Sequence, residues 1–164
     1  MSDDEFTATG HCVCGAVAFT VKGKKMFSVL CHCRACSRAR GMSPVHLVGF
    51  PVEAFEYERG EDMVNIGSGL GKMSHAFCSS CGTGLYQCPE GAGFRAVYPT
   101  NFHMSCSTDN EKEVLLPPCL LPATHINYEN RLFDWHDPLP KFQVWNNGVR
   151  MTNTGEVIAE DSSA

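Results

Sequence analysis

The sequence of 164 residues lacks the features that mark several common classes of protein. It contains no run approaching the 18 apolar residues that a membrane-spanning helix needs, and no block of five like charges. Acidic residues outnumber basic ones, 18 against 13, and a formal charge of −5 argues against binding duplex DNA by phosphate neutralisation. Residues 1–5 are acidic, the opposite of a secretory or transit signal. We therefore expect a cytoplasmic, single-domain protein whose partners include neither nucleic acid nor membrane.

Sustained helical periodicity is also missing. Short apolar or alternating runs recur instead, separated by 15 glycines and 9 prolines. They predict strands at 16–21, 44–50, 55–58, 63–66, 75–77, 83–87, 94–98, 125–128 and 142–144, and a short apolar run at 26–30 precedes the cysteines at 31–36. The polar segment 34–40 predicts a turn or a single helical turn, and the acidic tail 152–164 is expected to be disordered. The fold class expected is mainly β, with antiparallel sheets.

Cysteine, by contrast, is abundant, with ten residues. Seven of them form three tight clusters: Cys12 and Cys14; Cys31, Cys33 and Cys36; Cys78 and Cys81. Disulfides between such close neighbours are disfavoured by the geometry of the bond, whereas two thiolates two or three residues apart can bind one tetrahedral zinc ion. The clusters therefore predict metal sites. The remaining three, Cys88, Cys106 and Cys119, are expected to be ordinary buried or free thiols.

Seven clustered thiolates match one closed site of four ligands and one open site of three, which are the counts of structural and catalytic zinc. Spacing alone leaves other divisions possible. The simplest one gives Cys31–Cys36 its own metal and lets the two glycine-backed pairs share the other. The alternatives are two purely structural zinc ions, with Cys88, His32 or another residue closing the second site, a redox C-x-x-C pair, or an iron–sulfur cluster.

Four segments resemble the glutathione-dependent formaldehyde-activating enzyme family, also called the S-(hydroxymethyl)glutathione synthase family, which shares its domain with centromere protein V. They are GHCVCGAVAF, CHCRACSRARG, FCSSCGTGLY and HINYENRLFDWHDPLPKF. The resemblance covers residues 8–146 and leaves 147–164 as a partly disordered C-terminal extension. It implies a single domain of coiled antiparallel β-sheets with two zinc-cysteine sites. The structural site matches Cys12, Cys14, Cys78 and Cys81, and the catalytic site matches Cys31, Cys33 and Cys36.

The family's named reaction joins formaldehyde to the thiol of glutathione and is classed as a carbon–sulfur lyase reaction. The resemblance therefore implies a zinc-dependent lyase that forms or cleaves a glutathione–aldehyde adduct such as S-hydroxymethylglutathione. Its cofactor would be zinc, two ions per chain, and its partners would be glutathione and an aldehyde. Two alternatives remain, an enzyme of this fold with another thiol adduct as substrate, and a non-enzymatic binding module. The segment 99–122, which resembles no family block, motivates the first alternative.

Basic residues follow the three-cysteine cluster directly. Arg34, Arg38 and Arg40 are the candidates to bind the two carboxylates of glutathione, because guanidinium groups bind carboxylates bidentately. A solvated basic turn is the competing interpretation. His32 lies between two predicted ligands, and we expect it to support the site through hydrogen bonds.

Overall fold

The computed structural model describes residues 6–68, 73–103 and 116–159. Twelve strands and one α-helix account for most of the regular structure in these ranges. The strands are β1 (Phe6–His11), β2 (Ala18–Gly23), β3 (Phe27–Cys31), β4 (Val45–Pro51), β5 (Phe55–Arg59), β6 (Val64–Ser68), β7 (Met73–Cys78), β8 (Gly84–Pro89), β9 (Phe94–Val97), β10 (Thr124–Ile126), β11 (Lys141–Phe142) and β12 (Arg150–Met151), and the helix is α1 (Arg34–Arg40). The mainly β fold class is confirmed, and each predicted strand overlaps an observed one. The sequence did not predict β1 or β12, and at β3 it indicated only a short apolar run.

The chain divides into two compact units, of which the first comprises residues 1–27 and 47–121. Here β1, β2 and β5 form one antiparallel sheet, and β4, β9, β8, β7 and β6 are hydrogen-bonded in that order. The alternating residues Val17, Phe19 and Val21 are fully buried, and the ring of Phe19 stacks on that of Phe55 at 4.8 Å. Burying each such side chain contributes roughly 1.5–3 kcal/mol, so this core fixes the sheet that leads out of the first cysteine pair.

The second unit comprises residues 28–46 and 122–164, two segments that are distant in sequence. Its strands are ordered β12, β11, β10, β3. β10 is parallel to both β3 and β11, whereas β11 and β12 are antiparallel. The parallel pairs depart from the expected antiparallel arrangement. They are possible because long connections separate the paired strands, and parallel pairing needs a crossover of about a dozen residues or more.

Part of the expected C-terminal extension is folded. β12 lies inside 147–164, and the Tyr128 hydroxyl donates to the Asn153 carbonyl at 2.6 Å. The amide of Thr152 donates to the carbonyl of Glu156 at 2.8 Å, so the expected disorder does not apply to this turn. Residues 160–164 and 104–115, which include much of the segment 99–122 and Cys106, lie outside the described residues. Within the described ranges, no helix has the length and apolar character required to cross a membrane.

Candidate metal centres

Four cysteines of the first unit bring their sulfur atoms together. The Sγ atoms of Cys12, Cys14, Cys78 and Cys81 all lie within 4.8 Å of one another. The Sγ atoms of Cys12 and Cys14 are 3.4 Å apart, and those of Cys14 and Cys78 are 3.9 Å apart. Cys12 and Cys78 are fully buried, while Cys14 is exposed at the rim. Four converging thiols are the ligand set of a closed, tetrahedral zinc site.

A matching turn forms each half of this four-cysteine cluster. The amide of Gly15 donates to the carbonyl of Cys12, and the amide of Gly82 donates to that of Cys78, both at 2.9 Å. The two glycines have φ values of +74° and +75°, a left-handed conformation that side chains with a Cβ disfavour. The glycine after each cysteine pair therefore lets the chain turn beneath the sulfurs, as its position in the sequence predicted.

Thr83 connects the two halves. Its hydroxyl lies 3.2 Å from the sulfur of Cys81 and accepts the amide of Val13 at 3.1 Å. The hydrogen bond from Thr83 is the largest of the contacts that lower the pKa of Cys81 to about 5. The thiolate form that a metal requires is thus favoured here. Nothing in the cysteine spacing pointed to this threonine.

The second unit holds a cluster of three. The sulfur atoms of Cys31, Cys33 and Cys36 also lie within 4.8 Å of one another, with 2.9 Å between Cys33 and Cys36. Cys31 ends β3, Cys33 caps the N-terminus of α1, and its sulfur accepts the amide of Cys36 at 3.3 Å. No fourth His, Cys, Asp or Glu ligand atom from the described residues joins this group, and His32 in particular is not part of it. Within the described ranges, this centre therefore offers three thiol ligands, one fewer than the four-cysteine cluster.

The three thiols of this centre differ in their hydrogen-bond partners. Hydrogen bonds from the thiols of Cys31 and Cys36 lower the pKa of Cys33, and the amides at the start of α1 act in the same direction. The same thiol contacts, with burial, raise the pKa of Cys31. The side-chain amide of Asn127 donates to the Cys31 sulfur at 3.6 Å. These contacts favour the thiolate form of Cys33, and the helix amides contribute to this effect.

The three predicted substrate-binding arginines all lie on α1. Arg34 and Arg38 are exposed and four residues apart, so they lie on one face of the helix, and Arg40 is half-buried. The helix ends at Gly41 in a left-handed cap. Basic residues in a last turn also interact favourably with the helix dipole, which is the alternative explanation for two of them. Carboxylate binding by these arginines stays a prediction.

His32 begins a buried chain of hydrogen bonds. Its Nε2 lies 2.8 Å from Nδ1 of His125, and Nε2 of His125 lies 2.8 Å from Oδ2 of Asp137. The other carboxylate oxygen of Asp137 accepts the ammonium of Lys141 at 2.7 Å. Burial, and after it the neighbouring His125, lower the pKa of His32 to about 4. The hydrogen-bond partner of His32 in this chain is therefore His125.

Sequence reasoning missed four residues around the three-cysteine centre. They are His125, Asn127, Asp137 and Lys141. All four belong to the C-terminal segment HINYENRLFDWHDPLPKF, which had been quoted only for its resemblance. That segment was the signal from which they could have been found.

Comparison with known proteins places the chain in a family. The profile of the glutathione-dependent formaldehyde-activating enzyme family matches residues 7–114. The crystal structure of a Rhodobacter sphaeroides protein is similar at 20% sequence identity and a TM-score of 0.49, over 63% of this chain and 95% of that one. No curated protein matches. Because the family profile covers well over half of its residues, the chain belongs to the glutathione-dependent formaldehyde-activating enzyme family.

Proposed function

We propose that the protein is a zinc-dependent carbon–sulfur lyase that forms or cleaves a glutathione–aldehyde adduct such as S-hydroxymethylglutathione. The observation that carries this proposal is the three-cysteine centre, to which the described residues supply three ligands and no fourth. Three protein ligands with one free position are the pattern of catalytic rather than structural zinc. Family membership supports glutathione and formaldehyde as the reactants.

The donor set fits zinc at both clusters. Each offers thiolates alone, the soft ligands that select zinc over magnesium or calcium, and all the sulfurs of a cluster lie within 4.8 Å of one another. Cys12, Cys14, Cys78 and Cys81 would form the structural site, and Cys31, Cys33 and Cys36 the catalytic one. A zinc ion bound at the catalytic site would supply a Lewis acid that holds a coordinated thiol in its deprotonated form.

The arginines of α1 would hold the substrate. Arg34 and Arg38 project from the helix that carries Cys36 and begins next to Cys33, so all four lie within about two turns. Guanidinium groups on this helix can bind the two glutathione carboxylates, leaving the glutathione thiol to face the cysteines. Holding the thiol and the aldehyde together makes the addition effectively unimolecular.

The reaction itself is a simple addition. In the forward direction the glutathione sulfur forms a bond to the aldehyde carbon, the carbonyl electron pair moves to oxygen, and the thiol proton ends on that oxygen. No redox change is involved. The chain's task is therefore to orient two reactants and to favour the thiolate, which is what a thiolate-rich centre beside a basic helix can do.

Exchange between glutathione, formaldehyde and S-hydroxymethylglutathione, followed by NMR, tests the proposal. The zinc-loaded protein is compared with Cys33→Ser, with Cys88→Ser as a matched cysteine variant outside both clusters, and with a blank, because the uncatalysed reaction is appreciable. We expect acceleration over the blank that Cys33→Ser abolishes and Cys88→Ser retains. A wild-type rate equal to the blank, or full activity in Cys33→Ser, would refute the proposal.

A further inference from the structure

The segment 124–127 lies directly beside the loop that carries the three cysteines. β10 is parallel to β3, with Ile126 opposite Cys31 and His125 opposite Leu30. The amide of His32 donates to the carbonyl of Ile126 at 3.0 Å, which extends the pairing past the end of β3. The side chains on either side of Ile126 are thereby held against the loop.

Asn127 contacts a cysteine sulfur from an unusual backbone conformation. Its side-chain amide donates to Cys31 Sγ at 3.6 Å, and its φ of 53° is the only positive value at a non-glycine residue in the described ranges. A left-handed backbone is disfavoured for a residue with a Cβ, and asparagine is among the residues that tolerate it best. The backbone amide of Asn127 donates to the Val144 carbonyl at 2.7 Å, so hydrogen bonds hold both the backbone and the side chain of this residue.

His125 contacts the same loop through His32. The Asp137 carboxylate can only accept, so His125 donates from Nε2 and its Nδ1 accepts the proton on Nε2 of His32. One orientation and one tautomer are thus fixed for each ring. Asp137 is itself held by Lys141, whose ammonium also donates to the carbonyls of Asp137 and Leu139 at 3.1 and 2.9 Å.

Burying polar and charged side chains is unfavourable in free energy, which argues that these residues have a role beyond packing. The side chains of His32, His125 and Lys141 are all at least 98% buried. Well-packed apolar residues often replace such buried polar groups with no loss of stability. A chain of hydrogen bonds instead specifies a single geometry, and here it ends between two of the three cysteines.

We propose that His125 and Asn127 are positioning residues of the three-cysteine centre. His125 fixes the His32 ring and with it the path of the backbone between Cys31 and Cys33. Asn127 donates to the Cys31 sulfur and so holds it in the orientation from which it would bind a metal, although the same hydrogen bond draws some electron density from the sulfur. The inference rests on the proposed function only in requiring that the three cysteines bind a metal ion. Loss of such supporting hydrogen bonds typically reduces metal affinity or activity by about 10–100-fold.

Cobalt(II) and zinc titrations in competition with a chromophoric chelator test this inference, because the four-cysteine cluster is an internal reference in the same molecule. Asn127→Gly removes the donor and favours the left-handed backbone, and His125→Phe removes both ring hydrogen bonds at similar volume. Asn130→Gly, in the same turn and at a side chain that donates to Glu129, is the matched control. We expect affinity at the three-cysteine centre to fall about tenfold or more in both test variants, and affinity at the four-cysteine cluster to stay unchanged.

The spectrum of the cobalt protein gives a readout that general loosening would not move. Without the Asn127 donor, the Cys31 thiolate becomes the stronger electron donor, so its charge-transfer band shifts to lower energy in Asn127→Gly but not in Asn130→Gly. Unchanged affinity and spectrum in Asn127→Gly, or equal weakening of both metal sites, would overturn the inference. If His125→Phe does not fold, Asn127→Gly decides alone. A wild-type protein that binds one metal only would overturn the proposed function as well, whereas an inactive protein that binds two leaves this inference standing.

Discussion

Lys141 offers the most direct measurement of how strongly the buried network is held together. Its side chain is 1% exposed, and Nζ donates to Asp137 Oδ1 at 2.7 Å and to the carbonyls of Asp137 and Leu139 at 3.1 and 2.9 Å. The ring of Tyr128 lies 5.7 Å from the same nitrogen. Three N–H donors thus meet three oxygen acceptors, and the charge faces a carboxylate and an aromatic ring.

Lys141→Met keeps the length of the side chain and removes its charge. Two carbonyl oxygens and one carboxylate oxygen then lose a donor, although the carboxylate still accepts His125 and the amide of Leu139. Removing one partner of a buried ion pair costs roughly 3–5 kcal/mol, and each buried acceptor left unsatisfied costs about 1–3 kcal/mol. The apolar methionine offsets part of this loss. We expect the free energy of unfolding to fall by about 3 kcal/mol.

Denaturant unfolding of the zinc-loaded protein, followed by circular dichroism, measures the effect. Lys22→Met, at an exposed position of β2, is the matched control and should change stability by no more than about 0.5 kcal/mol. Adding Asp137→Asn to Lys141→Met should recover stability, because neither charge is then left alone, with a coupling energy of about 1–3 kcal/mol. A loss below about 1 kcal/mol in Lys141→Met, or strict additivity in the double variant, would refute the reasoning.

Four further predictions concern pH, packing, metal removal and substrate binding. Burial lowers the pKa of His125, so the native ring stays neutral while the unfolded ring takes up a proton near its ordinary pKa of 6.5. The contribution of His125 to the free energy of unfolding is therefore fully present above that pH and is lost below it, by at most about 1.4 kcal/mol per pH unit. The free energy of unfolding of His125→Phe should depend less steeply on pH than that of wild type, and equal slopes would contradict this. Gly60→Ala should lower the free energy of unfolding by about 2 kcal/mol, because φ is +71° and the new Cβ meets the Ala16 carbonyl. Gly91→Ala, where φ is +74° and the space around the new Cβ is open, should lower it by only about 1 kcal/mol. Equal losses in denaturant unfolding would show that the contact with Ala16 has no effect. A chelator should remove metal from the three-cysteine centre first, with little change in circular dichroism, and unfold the chain only when the four-cysteine cluster is emptied; simultaneous loss would speak against two classes of site. Arg38→Gln should raise the KM for glutathione about tenfold with kcat nearly unchanged, and an unaltered KM would remove this arginine from the substrate site.

Local signals account for what the sequence predicted well. Alternation at Val17, Phe19 and Val21 reflects one face of a strand packed in a core, and all three are fully buried. The cysteine spacings are equally local, because sulfurs two or three residues apart converge with only a turn between them. The segment 34–40 was predicted as a turn or a single helical turn, and all seven of its residues form a helix, which is about two turns.

Long-range contacts account for what was missed. β1 alternates Phe6, Ala8 and Gly10 with threonines, but only Phe6 is a large apolar residue, and β12 has only two residues, so neither stands out in the sequence. His32 and His125 are 93 residues apart, and no periodicity reports such a contact. Lysine is rarely fully buried, so Lys141 was not suspected as the end of a buried chain. The domain boundary at residue 146 stays a prediction.

The two-segment construction of the second unit has a consequence for synthesis on the ribosome. The four-cysteine cluster has all its ligands once residue 81 has emerged. The three cysteines of the other centre emerge earlier still, but their supporting contacts reach to Lys141, which is 60 residues after Cys81. At about 5–20 residues per second, translation takes roughly 3–12 s to cover that distance. During this interval the nascent chain carries three reactive thiols without the hydrogen bonds that orient them, so the centre whose ligands are made first is completed last.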